Sequence, residues 1–169
     1  YFNLNVQKQN IQVEVATTVE VATTQQWLLL QPECSVSERY NHSMTSISAN
    51  RFIIYGGECN GLFGDCWLYD VASRTFTQVP TPSGSSPCPR SSHSALFIEP
   101  YFVVFGGVTN SSHCGGVVVA PEEQEQEENV PIYLNDLWLL DTSSSVDPTQ
   151  WTWRMVHFNG IAPSPRDKA

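Results

Sequence analysis

The chain is predicted to be all-β, built from repeats of a four-stranded antiparallel meander, and three observations carry that reading. Between Arg39 and Val79 lie four short apolar runs, residues 43–47, 52–55, 66–69 and 76–79. Turn residues separate them: Ala49-Asn50, Gly56-Gly57, Asn60-Gly61 and Ser73-Arg74. The same landmarks return in the same order downstream, so the pattern is a repeat. The second run of each unit, Phe52-Ile53-Ile54-Tyr55 and residues 101–105, is apolar at every position. Such a run marks a strand covered on both faces of its sheet.

Residues 1–6 (YFNLNV) compare with 137–141 and read as a third strand entered at its start. Residues 10–26 follow, with the hexamer VEVATT twice in succession at 13–18 and 19–24, a low-complexity, expanded loop with some β character. Trp27 then opens a fourth strand, because it precedes Arg39 by 12 residues, as Phe76 precedes Arg90 by 14 and Trp153 precedes Arg166 by 13. Residues 1–38 are therefore read as the last two strands of a partial unit. Residues 39–80 form a full unit, 81–158 a second, and 159–169 the start of another.

Within the two full units the correspondence is position by position. Arg90 and His93 match Arg39 and His42, and Gly106-Gly107 match Gly56-Gly57. Asp136, Trp138 and Asp141 match Asp65, Trp67 and Asp70, and Trp153 matches Phe76. The second unit differs by insertion: 28 residues separate Gly107 from Asp136, against seven between Gly57 and Asp65. The insertion, 108–134, contains Glu122, Glu123, Glu125, Glu127 and Glu128, a self-repelling run expected to be mobile and dispensable for folding.

Small side chains dominate the first strands (His42-Ser43-Met44-Thr45, Ser92-His93-Ser94-Ala95), while Trp27, Trp67, Trp138 and Trp153 fall on the third and fourth. Antiparallel sheets usually keep one wet face. Wedge-shaped sheets with two dry faces pack around an axis, which gives a β-propeller. The Pro-x-Pro-Arg-x-x-His opening, the Gly-Gly after an apolar strand, the Asp before the third strand and the Trp in the fourth resemble Kelch repeats. Ser37-Glu38-Arg39 departs from Pro-x-Arg in the first unit, and Cys66 stands where the second has Leu137. The resemblance implies a propeller that serves as an interaction platform, with enzymes a minority of its members. About three blades are present, so further chain or another copy is expected to complete the ring. The piece alone is expected to self-associate through exposed blade faces.

Composition narrows the function. A net charge of −9, from 8 basic and 17 acidic residues, argues against a nucleic-acid surface. No apolar run approaches the ~20 residues of a membrane span. The cysteines (Cys34, Cys59, Cys66, Cys88, Cys114) are odd in number and form no C-x-x-C pair, so free thiols in a reducing compartment are expected, cytoplasmic or nuclear. Asn41-His42-Ser43 and Asn110-Ser111-Ser112 fit a glycosylation pattern that occurs often by chance. Cys59, Cys66, His113 and Cys114 match no closed metal spacing, and no metal or other cofactor is implied.

The repeated residues read as structural. The glycines permit a sharp exit from a crowded strand. The arginines, with Asp65 and Asp136 at the same end, are expected to hold blade to blade. His42 and His93 are given a packing or hydrogen-bonding task, with no nucleophile and orienting acid legible beside them. Binding is assigned to the end where the loops between second and third strands and the joints between units emerge. Its candidate residues are Glu58, Asn60, Phe63, Asn110, His113 and the five glutamates. A protein partner is the favoured ligand. The alternative is an enzyme or small-ligand domain using the same face.

Overall fold

The computed structural model describes residues 36–112, 130–160 and 163–165. They form two four-stranded sheets. The first contains β1 (Ser43–Ser48), β2 (Arg51–Tyr55), β3 (Cys66–Asp70) and β4 (Thr75–Val79), in that spatial order. The second repeats it with β5 (Ser94–Ile98), β6 (Tyr101–Asn110), β7 (Pro131–Asp141) and β8 (Thr152–Val156). Every pairing is antiparallel. A short 3-10 turn, Pro148–Gln150, precedes β8 and is capped by the Asp147 side chain.

The turns show why the strands stop where they do. Asp70 closes β3 because its carboxylate accepts from the backbone N–H groups of Ala72 and Ser73. Asp141 does the same for Ser143 after β7. These side chains compete with the ladder for the backbone and so begin turns.

Register places the core. Tyr55 lies opposite Cys66, and Cys66 opposite Val79, with Ile53 opposite Leu68 one step along the same face. In the second sheet Phe102, Leu140 and Trp153 form one cross-strand row. These two faces meet, and Ile53, Tyr55, Cys66, Leu68, Val79, Phe102, Val104, Leu140, Trp151 and Trp153 make one buried cluster. Trp153 stands between the sheets, its ring 5.3 Å from that of Tyr55 and 6.1 Å from that of Phe102. β1 lies beside β5, and β4 beside the 3-10 turn, so the sheets stack with strand order aligned. This is the face-to-face packing expected of a propeller segment.

Three expectations need correction. The reverse face of β2 is only half-buried: Ile53 and Tyr55 are fully enclosed, but Phe52 and Ile54 are not. The reason is that only one of the two faces has a neighbouring sheet among the described residues. The insertion 108–134 does not begin as a loop. β6 passes through a register shift at Phe105/Gly107 and continues to Asn110, paired with residues from Pro131 onward. A bulge permits this because it re-aims the strand and lets Val, Thr, Ile and Tyr extend the ladder. Residues 113–129, with His113 and the five glutamates, lie outside the described residues. Finally, Cys59 and Cys66 are free, but Cys88 is disulfide-bonded. Spatial separation decides pairing, and spacing along the chain does not reveal it.

Candidate functional site

At one end of both sheets the β2–β3 loop and the end of β6 meet the joint that leads from β4 to β5. An arginine anchors each sheet there. Arg39 donates from both Nη atoms to the two Asp65 oxygens, at 2.6 and 2.9 Å, and also to the carbonyl of Gly56. Arg90 makes the same fork with Asp136, at 2.6 and 2.8 Å, and donates to the Gly106 carbonyl. Trp67 and Trp138 each donate an indole N–H to the same carboxylate. The clamp therefore closes each sheet on itself, and the expectation of a blade-to-blade pair is wrong. The geometry explains the difference: the arginine precedes the first strand and the aspartate lies immediately before β3 or within β7 of the same meander, so the fork reaches across the end of β2 or across β6 within one sheet. Burial pushes the Asp136 carboxyl up, but the Arg90 hydrogen bonds and charge outweigh it and hold the group below the ordinary range. The balance at Asp65 is the same, with Arg39 and Trp67 prevailing.

The sheets are joined by other groups. The Tyr55 hydroxyl donates to the carbonyls of Pro87 and Cys88 in the joint, and Gly57 N donates to the carbonyl of Arg90. His93 crosses to the first sheet, its Nε2 2.8 Å from Ser43 Oγ and its ring edge-on to Tyr55. The predicted hydrogen-bonding task of His93 is thus one of contact between sheets, whereas His42 is exposed. Burial, with the charges of Arg90 and His42, lowers the His93 pKa to about 3, so the ring is neutral. The glycine before it has no alternative. Gly56 has φ +64, and a Cβ there would meet the Arg90 carbonyl at 2.6 Å.

The predicted binding residues fall at this end where they are described, but they are not equivalent. Asn60 is exposed at the loop tip with φ 55, and Glu58 is half-exposed. Phe63 is half-buried under the Arg39 guanidinium, 4.2 Å from the ring centre, and so belongs to the clamp. Asn110 ends β6 and is half-buried. Two residues were missed. Tyr40 is 58% exposed beside Glu58. Thr109 is buried and donates to the Pro89 carbonyl at 2.6 Å. Tyr40 could have been found as an aromatic standing where the second unit has Ser91. Thr109 carried no signal, because it lay in what read as a loop.

Ser43 and His93 resemble half of a catalytic relay, yet His93 Nδ1 has no partner to orient it. Among the described residues no group of three or more His, Cys, Asp or Glu could hold a metal ion. No described helix is long and apolar enough to cross a membrane. At the opposite end an open groove between the sheets is lined by Ile47, Arg51, Phe97, Glu99 and Trp151.

Comparison with known proteins gives a consistent relationship. The KLHDC2/KLHL20/DRC7 Kelch-repeats domain matches residues 6–169. Host cell factor 2 of Homo sapiens is 27% identical over 153 residues, 85% of this chain and 17% of that protein. Tip elongation aberrant protein 1 of Schizosaccharomyces pombe is 29% identical over 143 residues, 82% of this chain and 10% of that protein. Host cell factor of Drosophila melanogaster is 35% identical over 85 residues, 50% of this chain and 5% of that protein. The chain thus spans less than a fifth of the length of each of these relatives.

Proposed function

The chain belongs to the Kelch-repeat family, and from that premise we propose that it is a protein-interaction module whose docking surface is the loop end described above. Kelch repeats are typically protein-interaction domains, which sets the class of ligand. The observation that carries the choice of surface is the contrast between loop bases and loop tips. The bases are fixed by the forks Arg39–Asp65 and Arg90–Asp136, both largely buried. The tips above them present Tyr40, Glu58 and Asn60 to solvent. Loops held on a rigid scaffold bind without a large ordering cost.

A photo-crosslinking amino acid placed at Asn60 or at Asn110 tests the surface, with Ala72 and Glu99 as positions at the opposite end. Crosslinks to a discrete protein from the first two positions are expected, with none from the second two. Capture only from Ala72 or Glu99 would move the docking surface to the other end and overturn this reading.

A further inference from the structure

We propose that Tyr40 and Glu58 form a recognition site for a cationic side chain, so that the docking partner brings an arginine or lysine to the loop end. The proposal rests on the docking surface argued above and names the chemistry it selects.

The placement follows from the backbone. Tyr40 N donates to the Glu58 carbonyl at 3.0 Å, and Glu58 N donates to the Tyr40 carbonyl at 2.9 Å. Two residues that exchange both hydrogen bonds lie directly opposite in an antiparallel pair, so their side chains leave the same face. The preceding side chain, Arg39, turns inward to its fork and is 4% exposed, while Tyr40 turns outward. One Glu58 oxygen accepts from Asn41 Nδ2 at 2.9 Å. That bond restrains the carboxylate.

The pair is not demanded by the repeat. The second sheet has the matching bridge, with Ser91 and Val108 exchanging the same two hydrogen bonds at 3.0 and 2.9 Å. The backbone contact is therefore common to both units, but only the first decorates it with an aromatic ring and a carboxylate. The molecule already uses this combination once. The Arg39 guanidinium is held between the Phe63 ring and the Asp65 carboxylate. Tyr40 and Glu58 offer the same two elements to solvent.

Charge completes the argument. Of the described arginines, Arg39 and Arg90 are engaged in their forks. Arg51 and Arg74 lie at the hairpin end opposite, and Arg154 sits over the Tyr101 ring. No described lysine or arginine is placed to fill the site from within. A ring face beside a restrained carboxylate attracts a guanidinium or ammonium through both its quadrupole and its charge.

The test uses the full chain and two peptides, acetyl-Gly-Gly-Arg-Gly-Gly-amide and its citrulline counterpart, which keeps the shape and loses the charge. Binding is followed by NMR resonances of Tyr40 and Glu58. The arginine peptide should shift both saturably and bind several-fold more tightly than the citrulline peptide, with added salt weakening it. Tyr40→Phe should retain binding, whereas Tyr40→Ala and Glu58→Gln should each weaken it about five-fold or more. Both residues are at the surface, and an unchanged melting temperature verifies the fold of each variant. Equal binding of the two peptides, shifts confined to other residues, or no binding would overturn the proposal. If that happens while crosslinks still form from Asn60, the docking surface stands and only its cation preference falls. Crosslinks confined to the opposite end, with arginine selectivity retained here, would have the reverse meaning.

Discussion

The first sheet turns from β2 to β3 through a compact loop, whereas β6 and β7 of the second run on as an extended hairpin beyond the same glycines. Beneath that difference the two are nearly superimposable in chemistry. Each has an arginine forked onto an aspartate, a tryptophan N–H on the same carboxylate, and a pair of glycines at matching positive φ, 64 and 96 against 64 and 94. What they share satisfies the carbonyls and carboxylates packed at the base of the loops. What differs lies above that layer, where no such demand operates. The comparison teaches that the repeat specifies a clamp and leaves the tips open to variation.

A second difference concerns how the sheets meet. Tyr55 occupies the position of Phe105, and only Tyr55 has a hydroxyl, which it donates to the following joint. Burial raises its pKa far above the ordinary tyrosine value, so it remains a donor at any working pH.

The largest test of the shared clamp is Arg90→Met. It leaves Asp136 without its partner, and should cost about 3–5 kcal/mol in urea unfolding. Arg39→Met should cost less, about 2 kcal/mol, because Asp65 is 24% exposed against 17% for Asp136 and water compensates more. Equal losses would mean the two clamps are energetically interchangeable.

Thr109→Val probes the extended hairpin, where the comparison predicts added structure in the second sheet. It orphans the Pro89 carbonyl and should cost about 1–2 kcal/mol by the same measurement. No loss would show that the extension contributes nothing beyond its backbone ladder.

Tyr55→Phe gives the first sheet what the second has. The expected loss is about 1 kcal/mol. The exchange Phe105→Tyr should stay within about 0.5 kcal/mol, since Phe105 is half-buried and its new hydroxyl can reach water. A large effect in the second variant would erase the distinction between the sites.

The effect of His93 is absent at neutral pH and appears on acidification. Its folded pKa, about 3, lies below the ordinary 6.5, so the unfolded chain takes up the proton first. Stability should therefore fall as pH drops from about 6.5 toward 3. The depressed carboxyls of Asp65 and Asp136 add a further loss that begins as pH falls through the ordinary value of 3.8, where the unfolded chain takes up protons first, and continues until they protonate in the folded state. Melting temperatures across this range should show a slope that His93→Gln reduces between pH 6.5 and 4, and an unchanged slope would remove His93 from the account.

Sequence alone determined the order of the eight described strands, though not the extension of β6 and β7 into 108–134; the strands read at residues 1–6 and from Trp27 lie outside the described residues. Runs such as 52–55 and 66–69, bounded by Gly-Gly and Asp, carry a local signal, because turn chemistry and apolar continuity are properties of neighbours along the chain. It also determined that Arg39 and Asp65, and Arg90 and Asp136, share one end, since strand alternation fixes which end a residue occupies. Only the tertiary structure decided that each arginine grips its own sheet, that His93 reaches Ser43 across the gap, and that Tyr40 faces Glu58. It likewise decided that Phe63, which read as a binding residue, is spent beneath Arg39. The physical reason is the same in each case. These contacts join residues 18 to 50 positions apart through side-chain direction and register, and neither is encoded in the local pattern that reveals a strand.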